Sequence, residues 1–417
     1  MDIQALENQR NILIDKQAFL DNFVLPDYET LNVRNISSLV GKVFGINSLG
    51  PSIPNEMIDD YHGIEKVMLI VMDGFGYNRL LAHIKQDDGE FSNLVSKGVL
   101  KPLTSTFPAT TSTSLTSIFT GLTPAEHSII GYLMFSQTYG CVFITLDMHP
   151  VYGHSSDMEI AKDFSRRVKP WMPTLQMQGV NTSILTRGAI VGSGLSRITY
   201  ADQPITPYVL ESEMFVKARR ILEQPGRVFS VLYFSGVDTL EHRYGPYSEE
   251  VTSMIQMFEC LLRGFFTKLS DTTKKETLLM LTADHGVCET QKTMYLKDLP
   301  EITSRLQLPP VGDSRTAFLF AKQYEKENLR NVLEKNLGDF KLTTSEDLIN
   351  AGAFGRSKDL VALQNLIGDF AVLSKCPIAL SYPYYEDDRN HEQHGGHGGM
   401  TSEEIIVPLL SVRLSKI

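Results

Sequence analysis

Short, unbroken apolar segments recur along the chain, and three of them span residues 67–72, 228–234 and 277–282. An apolar run of this length is typical of a strand buried on both faces, as in a parallel sheet covered by helices. Amphipathic segments between the runs predict helices, the longest over residues 249–270. The alternation favours an α/β fold with a mostly parallel central sheet.

The same patterns predict how the 417 residues are divided. Residues 1–64 predict an N-terminal extension packing on the core, and residues 65–286 form that core. Residues 287–390 predict an inserted, smaller α/β cap, after which residues 391–417 return to the core. An alternating, aromatic-rich pattern over residues 129–146 predicts a hairpin at the edge of the main sheet.

Charge and composition narrow the possible partners. The formal net charge is −10, which argues against a nucleic-acid polymer as partner. The N-terminal residues 1–23 mix charged and apolar side chains, unlike a signal peptide, and no apolar run reaches the ~18 residues of a membrane span. We therefore expect neither secretion nor membrane insertion, and the sequence leaves the oligomeric state open.

The cysteines bear on the cellular compartment. Cys141, Cys260, Cys288 and Cys376 lie far apart and form no Cys-x-x-Cys motif. This spacing predicts neither a disulfide framework nor a zinc ribbon. We therefore expect a reducing, cytoplasmic setting.

Acidic and imidazole side chains follow each of the three apolar runs. Asp73 ends the first run, Asp238 and His242 follow the second, and Asp284 and His285 follow the third. Because parallel strands end at the same edge of a sheet, we expect these side chains to share one polar site. Asp73 alone is equally compatible with a simple helix cap.

A hydroxyl-rich segment lies between the first and second runs. Ten of the seventeen residues from 105 to 121 are Ser or Thr, and Leu115, Ile118 and Phe119 give the segment a buried helical face. A hydroxyl at a helix N-terminus can face a phosphoryl group. Taken alone, the segment favours a Ser/Thr-rich helix cap with no further role.

A Gly-rich loop near the C-terminus adds His397, followed by a predicted strand over residues 405–412. Mixed Asp and His ligation without thiolates suits Zn²⁺, with Mn²⁺ or Fe²⁺ as alternatives. The number of candidate ligands suffices for two divalent ions, and a two-metal pair is suited to displacement at phosphorus.

These motifs, in this order, resemble the alkaline phosphatase superfamily and most closely its nucleotide pyrophosphatase/phosphodiesterase branch. The resemblance covers residues 67–286 and 394–410. Its anchors are Met72-Asp73-Gly74, Phe107-Pro-Ala-Thr-Thr111, Thr120-Gly-Leu-Thr-Pro124, His127, Asp238-x-x-x-His242, Tyr244-Gly-Pro246, Asp284-His285-Gly286 and His397-Gly.

The resemblance implies a three-layer sandwich and a two-metal hydrolase acting on small phosphate esters, namely diesters or pyrophosphates. It implies that Thr111 is the nucleophile and forms a phospho-threonine intermediate, which water then releases. The implied ligands of the first metal are Asp73, Thr111, Asp284 and His285, and those of the second are Asp238, His242 and His397.

Some positions depart from the branch's pattern or stay ambiguous. The branch usually places a phosphate-binding Asn after the nucleophile's helix, but no Asn occurs between Thr111 and Asn181, and Tyr132 falls at the matching position. Thr106 is an alternative nucleophile and His394 an alternative metal ligand. His127 and His391 are interpreted as a structural and a solvated residue, respectively.

Two other functions stay open. A phosphomonoesterase or phosphonate hydrolase would belong to the same superfamily. A non-catalytic, metal-stabilised binding module would hold metal without turnover.

Overall fold

The computed structural model describes residues 2–46, 49–51, 53–153, 157–385 and 393–417. The described helices are α1 (Ile3–Lys16), α2 (Ile36–Val43), α3 (Tyr77–Gln86), α4 (Glu90–Lys97), α5 (Thr111–Thr120), α6 (Pro124–His127), α7 (Asp157–Ser165), α8 (Met172–Met177), α9 (Gly194–Thr199), α10 (Glu211–Leu222), α11 (Gly236–Tyr244), α12 (Glu249–Lys268), α13 (Asp271–Glu276), α14 (Pro300–Thr303), α15 (Lys326–Asn336), α16 (Ser345–Asn350), α17 (Leu360–Ile367) and α18 (Ser402–Ile405).

The described strands are β1 (Ala18–Phe19), β2 (Phe23–Val24), β3 (Lys66–Met72), β4 (Val99–Thr104), β5 (Leu133–Ser136), β6 (Cys141–Ile144), β7 (His149–Tyr152), β8 (Asn181–Arg187), β9 (Ile205–Tyr208), β10 (Val228–Phe234), β11 (Thr277–Thr282), β12 (Cys288–Glu289), β13 (Lys292–Tyr295), β14 (Val311–Asp313), β15 (Thr316–Leu319), β16 (Phe340–Thr344), β17 (Phe370–Ser374), β18 (Ile378–Ser381), β19 (Gly395–Gly396) and β20 (Ile406–Arg413).

The main sheet has seven strands in the order β4-β20-β11-β3-β10-β8-β9. Its strands are parallel except β20, which runs antiparallel between β4 and β11. The three apolar runs form β3, β10 and β11, with Lys66 added at the start of β3, and every residue of these strands is buried. The predicted α/β fold with a mostly parallel sheet is therefore confirmed.

Helices cover both faces of this sheet. Phe229 and Phe234 are an odd number of positions apart on β10, so their side chains point to opposite faces. Phe229 packs against Trp171, just before α8, and Phe234 packs against Phe258 of α12, with ring centroids 5.2 and 4.8 Å apart. The sheet is thus the middle of three layers.

The N-terminal residues pack on this core. Leu13 of α1 and Ile36 and Leu39 of α2 are buried in the same apolar cluster as the central strands. The Asp27 amide donates a hydrogen bond to the Thr104 hydroxyl at the end of β4. The N-terminal segment is therefore tied to an edge strand of the main sheet.

A second seven-stranded sheet, in the order β16-β17-β15-β14-β5-β6-β7, has antiparallel pairing throughout. The hairpin predicted at the edge of the main sheet lies here, with Leu133 of β5 opposite Gly312 of β14. That placement was wrong, because an alternating pattern identifies a hairpin but not the sheet it joins. The predicted domain boundaries remain a prediction, although the second sheet draws on residues 133–152 as well as on the expected cap.

The cysteine prediction also needs correction. The structure pairs Cys288 with Cys376 in a disulfide, with their Cα atoms 6.3 Å apart. The two residues are 88 positions apart in the sequence, and only the fold brings them together. The cytoplasmic setting stays a prediction and loses one of its arguments. Among the described helices, none is long and apolar enough to span a bilayer.

Candidate active site

The carboxyl ends of three neighbouring strands place three carboxylates together. Met72 of β3 lies opposite Phe234 of β10, and Val71 lies opposite Thr282 of β11, so the strands end at one level. The Asp73 amide donates to the Phe234 carbonyl, and the Asp238 amide donates to the Asp73 carbonyl at 3.2 Å. The expectation that these residues meet at one edge of the sheet agrees with the structure.

Gly74 permits this close approach. Its φ is +77°, and a Cβ at this position would lie 3.0 Å from the Asp238 Cβ and 2.6 Å from Glu241 Oε2. Only glycine fits both the backbone conformation and the available space.

The first cluster joins Asp73, Asp284 and His285 to the hydroxyl of Thr111. The His285 Nε2 lies 3.3 Å from Asp73 Oδ1 and 3.7 Å from Asp284 Oδ2. Thr111 is the first residue of α5, and its Oγ1 lies 3.1 Å from the same Nε2. These four residues are the set that the resemblance assigns to one metal.

The second cluster joins Asp238, His242 and His397. Asp238 and His242 are four positions apart on α11, which places the His242 Nε2 3.4 Å from Asp238 Oδ1. The His397 Nε2 lies 3.8 Å from the same oxygen and 3.1 Å from the His242 Nε2. The clusters adjoin, because the His285 and His397 rings stack with centroids 3.9 Å apart.

Main-chain carbonyls fix the tautomers of all three histidines. His242, His285 and His397 each direct Nδ1 to a carbonyl oxygen, of Gly395, Gly286 and Ala109 respectively. A carbonyl only accepts, so each Nδ1 carries the proton and each Nε2 presents its lone pair to the site. Protein histidines that bind metals are oriented in this way.

The carboxylates are left with unused oxygen atoms. Within the described structure, Asp73 Oδ1, Asp238 Oδ1 and Asp284 Oδ2 are buried without a hydrogen-bond partner. The second oxygens of Asp73 and Asp284 accept hydrogen bonds from residues around the clusters. The Tyr233 hydroxyl donates to Asp73 Oδ2, and the His285 amide donates to Asp284 Oδ1 at 3.0 Å. The unused oxygens and the Nε2 atoms thus converge as acceptors, and the Thr111 hydroxyl lies beside them as a donor.

The charges and pKa values of the residues in the two clusters favour a bound cation. Burial, followed by the charges of Asp284 and Asp238, raises the pKa of Asp73. Burial likewise raises the pKa of Asp238 and Asp284 and lowers the pKa of His285 and His397. Three carboxylates and neutral imidazoles need positive charge to be stable together, and divalent cations fit this donor set. Two three-residue groups, Asp73–Asp284–His285 and Asp238–His285–His397, have donor atoms within 4.8 Å of one another.

A cavity of about 530 Å³ opens onto the clusters. Its lining includes Thr111 and His242 at one end and residues of the second sheet at the other. Tyr132 lies on its wall and is 37% exposed. The volume is in the range of small-molecule sites.

The structure distinguishes the alternative nucleophiles from each other, and likewise the alternative histidine ligands. Thr106 is fully buried and bonds to Ser114 and the Pro108 carbonyl, away from the clusters, whereas Thr111 faces His285. His394 is exposed, whereas His397 is buried among the ligand candidates.

His127 is not part of either cluster. His127 is buried beneath α5, where its Nδ1 accepts from the Ile129 amide and its Nε2–H donates to Ser117 Oγ. Burial lowers its pKa to about 3, so the structural interpretation of His127 is confirmed. His391 lies outside the described residues.

Several residues around the site carried no sequence signal. Tyr233 belongs to an apolar strand, and nothing in the sequence shows that its hydroxyl reaches Asp73. Glu241 is buried beside Gly74 with both carboxylate oxygens unpartnered in the described structure, and burial raises its pKa. Asp313 of β14 reaches the cavity from the second sheet, and burial raises its pKa to about 6.

A buried ion pair holds the loop that carries His397. Arg315 and Glu404 are fully buried, with Arg315 Nε 2.8 Å from Glu404 Oε1. The Gly399 amide donates to the same Glu404 oxygen at 2.7 Å, and the Gly286 amide donates to the Glu404 carbonyl. Glu404 therefore connects the segments that follow His285 and His397.

The fold and donor set define an α/β protein of the alkaline phosphatase-like class. A sequence model described as Type I phosphodiesterase / nucleotide pyrophosphatase matches residues 67–400. The chain belongs to this family of metal-dependent enzymes. Among curated protein sequences, none matches.

Solved structures share the fold. Murine ectonucleotide pyrophosphatase/phosphodiesterase 5 superposes with a TM-score of 0.62 at 17% identity, covering 83% of this chain and 88% of that one. An inactive variant of that mouse protein was solved in complex with AMP. Phosphonoacetate hydrolase from Sinorhizobium meliloti 1021, in complex with phosphonoacetate, gives a TM-score of 0.60 at 16% identity, covering 82% and 89%.

Proposed function

We propose that the protein hydrolyses phosphate diesters or pyrophosphates of nucleotide-like small molecules, using Thr111 as nucleophile and two divalent metal ions, most readily Zn²⁺. The observation that carries the proposal is the convergence of three carboxylate oxygens, which have no hydrogen-bond partner among the described residues, and three imidazole Nε2 atoms beside one threonine hydroxyl. Asp73, Asp284, His285 and Thr111 would hold one ion, and Asp238, His242 and His397 the other.

The bound ions would lower the pKa of the Thr111 hydroxyl and stabilise negative charge on the phosphoryl oxygens. The deprotonated Thr111 Oγ1 would form a bond to phosphorus while the P–O bond to the leaving group breaks. The leaving group takes up a proton from water and departs as an alcohol from a diester or as a phosphate from a pyrophosphate. Water then cleaves the phospho-threonine, releasing the phosphoryl group and restoring the hydroxyl. Tyr132 donates its one hydrogen bond to a phosphoryl oxygen, where an amide could donate two.

The described cavity lining supports diesters over monoesters. It contains no Lys or Arg to balance the additional charge of a monoester. A phosphomonoesterase or phosphonate hydrolase is the alternative function, and a substrate panel separates the two.

The test uses zinc-loaded protein with an aryl diester, an aryl monoester and a phosphonate. We expect the diester to be turned over fastest and Thr111→Ala to reduce turnover to background, with Thr111→Ser retaining part of the activity because it keeps a hydroxyl. Thr267→Ala, in the exposed part of α12, is the matched control. Monoester preference would refute the diester assignment. Bound metal without turnover, unchanged by Thr111→Ala, would indicate a binding module.

A further inference from the structure

The cavity next to Thr111 has an unusual charge for an enzyme that handles phosphate esters. Away from the candidate metal ligands, its described lining contains one charged side chain, the carboxylate of Asp313, and no Lys or Arg. Among the described lining residues, a substrate with a second anionic group outside the reacting phosphate would find no Lys or Arg to bind that group. Among the substrates of the proposed function, this lining favours diesters over pyrophosphates, because the leaving group of a pyrophosphate is an anion.

Asp313 has an oxygen atom available for a ligand. Its Oδ1 accepts a hydrogen bond from the Ser314 amide at 2.7 Å, while its buried Oδ2 has no partner among the described residues. A buried acceptor left unpaired costs about 1–3 kcal/mol, so a ligand that supplied a donor would recover this energy.

The fold holds Asp313 close to the reaction centre. Thr110, which directly precedes the proposed nucleophile, lies close to the Asp313 carboxylate. Gly398, directly after His397, packs so closely that a Cβ there would lie 2.4 Å from the Asp313 Cβ. A group bound at Oδ2 would thus be part of the same small molecule that presents its phosphate to Thr111.

Tyrosine rings form much of the remaining wall. Tyr295, Tyr382 and Tyr384 line the cavity with Tyr132. The Tyr382 and Tyr384 rings pack edge to face with centroids 5.2 Å apart, and the Tyr384 hydroxyl donates to the Pro310 carbonyl at 2.7 Å. Aromatic faces attract cations, whereas they offer no charge complement to an anion.

We propose that Asp313 and these tyrosines bind a protonated amine carried by the substrate, so that the preferred substrates are phosphodiesters of amino alcohols. The ammonium group donates to Asp313 Oδ2 and lies against the tyrosine rings. This inference rests on the proposed phosphodiesterase function and specifies the substrate class.

The test compares three p-nitrophenyl phosphodiesters on zinc-loaded wild-type protein, whose second ester group is 2-aminoethyl, n-propyl or 2-carboxyethyl. The first two are close in size and differ in charge. We expect kcat/KM for the 2-aminoethyl ester to exceed that for the propyl ester by about tenfold or more, as for one charge-assisted hydrogen bond. The carboxyethyl ester should be the poorest substrate of the three.

Variants assign the preference to Asp313. Asp313→Asn should bring the aminoethyl-to-propyl ratio of kcat/KM close to one. The control Asp339→Asn, at an exposed position outside the cavity, should leave the ratio unchanged. Equal use of all three esters, or an unchanged ratio in Asp313→Asn, would overturn the amine assignment while leaving the phosphodiesterase function standing. Absence of turnover with all three esters would refute the proposed function and the inference with it.

Discussion

The hydroxyl of Tyr233 offers a direct test of whether the carboxylate cluster is a metal site. Tyr233 and Asp73 are 4% and 3% exposed, and the hydroxyl donates to Asp73 Oδ2. Burial and the charges of Asp73 and Asp284 raise the pKa of Tyr233, so the hydroxyl stays protonated and remains a donor. Tyr233→Phe removes this donor and leaves the shape of the core intact.

The expected magnitude follows from two independent considerations. A hydrogen bond to a charged group contributes about 1.5–3 kcal/mol. Removing an outer-shell partner of a metal ligand typically lowers metal affinity 10–100-fold, and at about 1.4 kcal/mol per tenfold this is roughly 1.4–2.8 kcal/mol. Because the two estimates agree, we expect Tyr233→Phe to weaken Zn²⁺ binding by one to two orders of magnitude.

The assay is competition for Zn²⁺ between metal-free protein and a chelator of known affinity. Tyr208→Phe is the matched control, because Tyr208 is also a buried tyrosine of the main sheet, on β9, but donates to the Tyr233 carbonyl at 3.0 Å. Tyr208→Phe should lower thermal stability with little change in zinc affinity. Unchanged affinity in Tyr233→Phe, or an equal loss in both variants, would refute the assignment of Asp73 as a metal ligand.

Three further substitutions test the surroundings of the site. Because the pKa of Asp73 is raised in the fold, its ionisation destabilises the metal-free protein as pH rises above the ordinary carboxyl range. The metal-free Asp73→Asn variant should therefore have a higher melting temperature than wild type at pH 8, and the difference should be smaller at pH 5. A difference in melting temperature that does not depend on pH would contradict this. Arg315→Met leaves Glu404 buried and unpaired and should cost about 3–5 kcal/mol in denaturant unfolding, whereas Lys375→Met, in an exposed pair, should cost under about 1 kcal/mol. Gly74→Ala should cost about 1–3 kcal/mol through its left-handed backbone and reduce zinc binding by displacing Asp238; wild-type affinity would show that the neighbouring side chains can move aside.

The main sheet was predictable because its strands are buried on both faces. Continuous burial produced apolar runs with sharp ends, and these runs match β10 and β11 residue for residue and β3 except for its first residue, Lys66. Since parallel strands end together, Asp73, Asp238 and Asp284 could be expected at one edge without knowing the strand order.

Long-range partners were not predictable in the same way. The β5–β6 hairpin has a local pattern that says nothing about whether β14 or the main sheet is its neighbour. Tyr233, Asp313 and the Cys288–Cys376 pair act through contacts that only the tertiary structure creates. An aspartate at the end of a short strand, such as Asp313, looks like any solvated turn residue until the cavity around it is known.

The position of β20 determines when the protein can fold. This strand lies inside the main sheet, where Ile406 pairs with Thr104 and Leu410 with Leu281, so it fills a gap between segments made much earlier in synthesis. Until residues 406–413 have left the ribosome, β4 and β11 have unpaired edges in the middle of the sheet, and His397 has no fixed loop. Nascent chains of this protein should therefore depend on chaperones until this strand has been made.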